Sequence, residues 1–460
     1  MDLLLLSRIQ FAVNIGFHYL YPPLSIGLGF LLIIMEGMYV KTKNPLYKQM
    51  TKFWVKVFAL TFAIGVATGL VQVFAFGTNW SRYSRFVGDV FGSALAAEGI
   101  FAFFLEAGFL GLMLFGWEKV KPSIHYLATI MVAAGAHFSA IWIVVANSWM
   151  QTPAGYKIVG EGDQARAVVT DFWEMIFNPS AVDRVIHVVI GCWLSGIFLV
   201  VSVAAYYILK KRHVAFAKTT MKIGLITGAV TLLLQFISAD SSAKGVAENQ
   251  PAKLAAMEGI FTSGPAPMGI IGWVDTEERR VKGIQIPGLL SFLIHGDFQQ
   301  PVVGLDQIPQ EDWPKVNVVF QAYHLMVYMW GAMVAVTALG LYYLRKKKLQ
   351  NQRWLLWGLI VSVGFPQIAN QVGWMTAEIG RQPWIVQGLL RTSQGVTTSL
   401  SSAQVFGSLT MFVLIYLLLF ALFLFLLDRK IKHGPTDEPE EMIYRNMYEA
   451  SKTPLKTNET

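Results

Sequence analysis

Charge is what this sequence has least of. Of its 460 residues only 14% are Asp, Glu, Lys or Arg, where a soluble domain carries roughly 25%. That shortage sets aside a soluble, core-rich protein of this length. Cysteine is almost missing: Cys192 stands alone, which excludes an internal disulfide and any thiolate metal cluster within the chain. No basic stretch precedes the first apolar run, where Asp2 stands instead, so no cleavable signal peptide is expected. Internal repeats and low-complexity tracts are absent too. The net charge of +8 does not argue for nucleic acid, because the basic residues sit between apolar runs rather than on a polar face.

What the chain has is long apolar runs, with 54% hydrophobic residues. A bilayer core needs roughly 20 apolar residues per helical span, and nine such runs occur, at about 8–38, 54–77, 94–117, 124–148, 183–209, 219–238, 318–343, 353–375 and 406–428. The expected fold is an all-α, polytopic transmembrane helix bundle. Its expected units are six spans in 1–238, a large loop over 239–317, three spans in 318–428 and a tail from 429 to 460. A second long connection, 149–182, is mixed polar and acidic.

Orientation follows from basic residues in short loops, which stay cytoplasmic. Alternate connections carry Lys41, Lys43, Lys48 and Lys52, then Lys119 and Lys121, then Lys210, Lys211, Arg212 and Lys218, then Arg345 to Lys348 and Arg353. The opposite set is sparse. The expected N-terminus is therefore outside and the C-terminus cytoplasmic, as an odd number of spans requires.

An ionisable group at membrane depth is costly, so each is a functional candidate. The first span carries His18, the third Glu98 and Glu106, the fifth His187, the seventh His324 with Met326, and the eighth ends at Glu378. With this topology His18, Glu98, His187, Met326 and Glu378 fall in the outer half together. Imidazole, thioether and carboxylate in one layer form a ligand set suited to haem iron. Taken singly, each has a plainer reading: a lone buried His is often an interhelical hydrogen-bond partner, Met is a common gap-filler, and the two carboxylates also suit a transporter's ion relay. His125 and His137 read as structural, His213 and His433 as solvated.

Several stretches resemble subunit I of the cytochrome bd-type quinol oxidases. They are GRQPW at Gly380–Trp384 with GWMTAE before it, SRIQFAVNIGFHYLYPPLSIG around Arg8 and His18, the third span's GSALAAEGIFAFFLEAGFLGLMLFGWEK, and QPAKLAAMEG in the large loop. The resemblance runs from about residue 1 to 430. It implies a terminal oxidase of the bacterial cytoplasmic membrane that oxidises quinol near the outer face and reduces dioxygen to water. It implies three haems: a low-spin haem b on His187 and Met326, and a high-spin haem b and a haem d, or a further haem b in its place, using His18, Glu98 and Glu378. Arg381 is implied as a propionate partner, its guanidinium fork matching a carboxylate. Trp374 is implied to pack between haems, against the alternative of an interfacial belt residue.

The resemblance puts Lys253 and Glu258 at the quinol site; read without it, they are ordinary solvated loop charges. Glu98 and Glu106 are expected to relay protons toward the oxygen site. Expected partners are a second membrane subunit (subunit II), with room for small accessory subunits, and the lipid bilayer. Two departures stand out: His324 occupies the place where some members have Arg two residues before the Met, and the large loop lacks the long insertion some members carry. The competing readings are a di-haem quinone oxidoreductase that leaves dioxygen alone, which would pair His residues on two helices, and a secondary transporter, which would show broken or repeated helices.

Overall fold

The computed structural model describes residues 2–435. The segment from 436 to 460, most of the expected tail, lies outside the described residues. Nine helices long and apolar enough to cross a membrane occur among the described residues: Leu3–Thr42, Pro45–Thr78, Gly88–Phe115, Pro122–Gln151, Ala181–Lys210, Val214–Asn249, Val316–Arg345, Arg353–Ile379 and Ser402–His433. These are called the first to ninth spans. Each matches one expected run, but most are longer, because polar turns of helix continue past the apolar stretch that marks a span. The sixth shows the largest difference. Helix runs on to Asn249, so the first eleven residues assigned to the large loop are helical.

Three spans are interrupted, each where the sequence offers a local cause or a bulge. The first is broken at Tyr19–Tyr21, between helices Leu3–His18 and Pro22–Thr42. Pro22 and Pro23 supply no N–H to the preceding turn, which leaves His18 on the last turn of the first half. The eighth breaks at Ser362–Val363, where Pro366 cannot donate to the Ser362 carbonyl, which accepts from the Phe365 N–H at 3.1 Å instead. The third contains a π-helical turn, Glu98–Phe103, a feature that recurs at functional sites.

The core is formed by the first, second, fifth and sixth spans, through Tyr21, Leu28, Trp54, Phe58, Phe198 and Phe216. The fifth is the most enclosed, with 78% of its apolar window buried against 11% for the ninth. It crosses the first at two glycines. A Cβ on Gly196 would lie 2.2 Å from the Gly27 carbonyl carbon, and one on Gly27 would lie 2.4 Å from Cys192 O. Backbone therefore packs on backbone there, the close approach that small residues allow between membrane helices.

Outside the spans, the large loop holds a short helix, Pro251–Glu258, and an antiparallel hairpin, Met268–Asp275 with Arg280–Ile286. A smaller hairpin, Tyr156–Val159 with Arg166–Val169, fills part of the 149–182 connection. A third, Trp384–Val386 with Leu390–Arg391, follows the eighth span.

Candidate functional site

A buried polar cluster lies where the fourth, fifth and eighth spans meet the short loop helix. Pro251 opens that helix at a position where a missing N–H costs nothing. It carries Lys253 and Glu258, which are 3% and 1% exposed. The reading of them as solvated charges is therefore wrong, and a loop sequence gave no sign of it because burial here is imposed by neighbours distant in the chain. Nor do the two converge. Five helical residues set them about 140° apart, so they face different partners.

Lys253 faces the fourth and eighth spans. Its ammonium donates to Gln151 Oε1 and, at 2.7 Å, to Gln250 Oε1. The same Gln151, fully buried, donates from Nε2 to Glu378 Oε1 at 3.2 Å and accepts from Gln250 Nε2 at 2.9 Å. Asn147, one turn earlier on the fourth span, donates to Glu378 Oε1 at 3.0 Å and accepts from Arg184 of the fifth span. Arg381 bonds the other carboxylate oxygen, Glu378 Oε2. One amide thus joins the quinol-site candidate to the haem-ligand candidate. Three donors take three of the roughly four lone-pair sites of the Glu378 carboxylate, leaving one.

The cluster's charges do not balance. Among the described residues Arg184, Arg381 and Lys253 face a single carboxylate, Glu378, and Arg381 is 3% exposed with no partner for Nε and Nη1. Unpaired buried guanidinium nitrogens call for an anion. A haem propionate supplies a carboxylate, so this donor set fits the group. Burial pushes the Lys253 pKa well below the usual lysine range, and the charges of Arg184 and Arg381 add to the effect.

Glu258 faces the seventh span and the long hairpin, where it accepts from the Gly269 N–H and the Tyr323 hydroxyl. Burial raises its pKa to about 7, more than those two hydrogen bonds lower it. Its Oε2 has no partner among the described residues.

The candidate iron ligands are dispersed. No group of three or more His, Cys, Asp or Glu able to hold a bare metal ion exists among the described residues. Single donors suit haem iron, whose macrocycle already fills four positions. His18 Nδ1 lies 3.0 Å from Thr68 Oγ1 on the second span. That hydroxyl has one hydrogen, and Ile64 O takes it at 2.9 Å. His18 must then donate from Nδ1, which leaves the Nε2 lone pair for a metal, the arrangement that second-neighbour bonds give ligating histidines.

His187 lies against the sixth span, its Nδ1 3.0 Å from Ser238 Oγ and its two ring nitrogens 3.0 and 3.1 Å from Gln235 Nε2. Met326 reaches the eighth span at Gly373, where a Cβ would lie 2.8 Å from its sulfur. One turn along that span, Asn370 abuts Gly191, itself one turn from His187. The His187 and Met326 sites are thus linked through one face of the eighth span.

His324 turns away from this region. Its Nδ1 lies 2.8 Å from Phe320 O of its own helix and its Nε2 3.0 Å from Gly269 O in the loop, so both nitrogens are engaged and neither remains for a haem. Trp374, half-buried, packs on Phe11 of the first span at 6.4 Å between ring centroids.

Glu98, in the π-turn, and Glu106, beyond it, both lie against the fourth span. Ser139 Oγ donates to Glu98 Oε1 at 2.5 Å, and one turn away a Cβ on Gly135 would fall 2.4 Å from Glu106 Cγ. Sequence reasoning missed Gln151, Asn147, Arg184, Gln250 and Tyr323. The polar pair at 147 and 151, one turn apart at a span's end, was the available signal. It also missed Glu36, 1% exposed, whose Oε1 lies 2.6 Å from His125 Nδ1 and whose Oε2 accepts from Thr129 at 2.5 Å. His125 Nε2 lies 3.1 Å from Met113 O, so this group ties the first, third and fourth spans. His137 Nε2 accepts from Trp193 Nε1 at 2.8 Å, a tie to the fifth.

Residues 6–435 match the family model described as cytochrome bd terminal oxidase subunit I. The chain is 40% identical over 446 residues to cytochrome bd ubiquinol oxidase subunit 1 of Bacillus subtilis (strain 168), covering 94% of each. It is 34% identical to cytochrome bd-II ubiquinol oxidase subunit 1 of Escherichia coli (strain K12), covering 95% of this chain and 97% of that one. Among solved structures, the bd oxidase from Geobacillus thermodenitrificans matches with a TM-score of 0.87 and 29% identity, over 94% of this chain and 99% of that one.

Proposed function

This chain belongs to the cytochrome bd terminal oxidase subunit I family, and from that premise we propose that it is the haem-carrying subunit of a quinol:dioxygen oxidoreductase, multi-pass in the bacterial cytoplasmic membrane. The observation that carries the reading is the Gln151 amide, bonded on one side to Lys253 and on the other to Glu378. A group able to take a quinol proton and a candidate iron ligand are thereby held in one rigid network.

Quinol gives up two electrons and two protons. Glu258, with a pKa of about 7, is a proton acceptor suited to neutral pH, and burial lowers the Lys253 pKa in the direction of that role. The protons leave on the side of the large loop, taken as the outer face, with the N-terminus outside and the C-terminus cytoplasmic. His187 and Met326 hold a low-spin haem b. His18, Glu98 and Glu378 serve a high-spin haem b and a haem d, or a further haem b, with Arg381 on a propionate and Trp374 packed alongside. When bound, the haems carry electrons singly and bind dioxygen. Glu106 and Glu98, on the third span and against the fourth, pass protons inward from the cytoplasmic side. Water forms from cytoplasmic protons while quinol protons are released outside, which adds to the proton gradient with no pump element. A second membrane subunit completes the complex, and small accessory subunits are compatible with it.

The test is a dithionite-reduced optical spectrum of the purified oxidase and of its His187→Ala variant. The expected result is b-type bands plus a high-spin signal in the native protein, with the low-spin b contribution lost in the variant. Native protein without haem bands would end the oxidase reading; a variant with its low-spin signal intact would remove His187 as ligand.

A further inference from the structure

On the far side of the bundle from the quinol cluster, the sixth and seventh spans part to leave a groove of about 440 Å³, lined by Lys222, Ile226, Leu341, Leu344 and Arg345. Helical spacing orders the lining. Lys222 and Ile226 are one turn apart on the sixth span, and Leu341 and Arg345 are one turn apart on the seventh. The sixth span starts at this end and the seventh finishes here, so both place a cation nearer the end and an apolar residue one turn deeper. The floor is closed by close helix packing, since a Cβ on Gly340 would meet Leu225 at 2.9 Å. The side is open, with Ile226 47% exposed.

On the two spans that flank this groove the charge at this end is of one sign. The sequence has no Asp or Glu from 210 to 239 or from 313 to 377, while Lys210, Lys211, Arg212, Lys218, Lys222, Arg345, Lys346, Lys347, Lys348 and Arg353 fall in those stretches near this end. Neither Lys222 nor Arg345 forms an ion pair among the described residues. Lys222 lies eight residues inside its helix but only three, about 4.5 Å, past the start of the apolar run at about 219. At that level a cation on an outward face reaches the lipid headgroups, where an anionic partner is at hand. Apolar walls beneath paired cations are complementary to one ligand chemistry, an anionic head on an acyl chain.

We propose that the groove between the sixth and seventh spans is a binding site for an anionic phospholipid of the surrounding membrane. Lys222 and Arg345 bond the phosphate, and Ile226, Leu341 and Leu344 take the first methylenes of an acyl chain. Basic pockets between membrane helices bind such headgroups. The site is independent of the haem ligand assignments, so neither reading depends on the other.

The test uses the whole purified oxidase complex, delipidated in detergent and titrated with cardiolipin, phosphatidylglycerol, phosphatidylcholine or inorganic phosphate, read by native mass spectrometry and thermal unfolding. Cardiolipin or phosphatidylglycerol should bind and raise the melting midpoint, and phosphatidylcholine and phosphate should not. The double variant Lys222→Gln/Arg345→Gln should weaken anionic lipid binding about thirtyfold while leaving the haem spectrum unchanged. Ile226→Trp, which keeps both charges and fills the groove, should weaken it too. Equal binding of phosphatidylcholine, an equal shift with phosphate alone, or undiminished binding in both variants would each overturn the proposal.

Discussion

At the residue scale, Gln151 has the most to lose. Its carbonyl and amide ends hold Lys253 and Glu378, and Gln151→Ala leaves both buried groups short of a partner, at about 1–3 kcal/mol each. The expected outcome is a joint defect, a raised quinol KM together with an altered high-spin haem spectrum. A variant that lowers only the yield of folded protein would reduce Gln151 to packing. Glu258 gives a pH signature. Its carboxyl, held near 7 by burial, gains a proton as pH falls through that value and can then no longer accept one. Quinol-driven oxygen uptake should therefore decline below about pH 7, and Glu258→Gln should abolish that limb while sparing uptake from an artificial electron donor. Equal losses with both donors would detach Glu258 from quinol chemistry. Glu106→Gln keeps shape and hydrogen bonding but cannot release a proton, so turnover should fall sharply with the haem spectrum intact. Near-normal oxygen consumption would take Glu106 out of the proton path.

At the element scale, the crossing of the first and fifth spans fixes where His18 and His187 stand relative to each other. Gly27 and Gly196 are in backbone contact there, and any side chain must push the helices apart. Overpacking typically costs about 1–3 kcal/mol, and Gly196→Leu should exceed that range because the neighbour is backbone and cannot move aside. The expected result is loss of haem content and of folded protein in detergent, measured by haem-to-protein ratio and size-exclusion profile. A normal ratio would show that the crossing tolerates separation. The breaks in the first and eighth spans work differently. They are written in Pro22, Pro23 and Pro366 and place His18 at a helix end.

At the scale of the whole molecule, orientation is open to direct measurement because Cys192 is the only cysteine and is 1% exposed. It gives little background to a thiol reagent. In intact cells, Glu277→Cys in the long hairpin's turn should react with a membrane-impermeant maleimide, and Lys347→Cys should react only after permeabilisation. The reverse pattern would invert the assigned topology and, with it, the side on which quinol protons are released.

The sequence alone determined the number and place of the spans, because apolar length against a bilayer is a property of consecutive residues, and it determined the single-sign loops for the same reason. It also singled out His18, His187, Glu98, Glu106 and Glu378, since an ionisable group in an apolar run stands out without any knowledge of neighbours. What the tertiary structure alone decided is which of these groups meet. Lys253 and Glu258 look like loop charges until the short helix is buried between spans, and they then face apart. Gln151, Asn147 and Arg184 become a network only when the fourth, fifth and eighth spans come together, and His324 turns to the loop because Gly269 lies there. Burial and hydrogen-bond partnership depend on residues tens to hundreds of positions apart, and a local pattern such as the 147/151 pair does not say which of them meet.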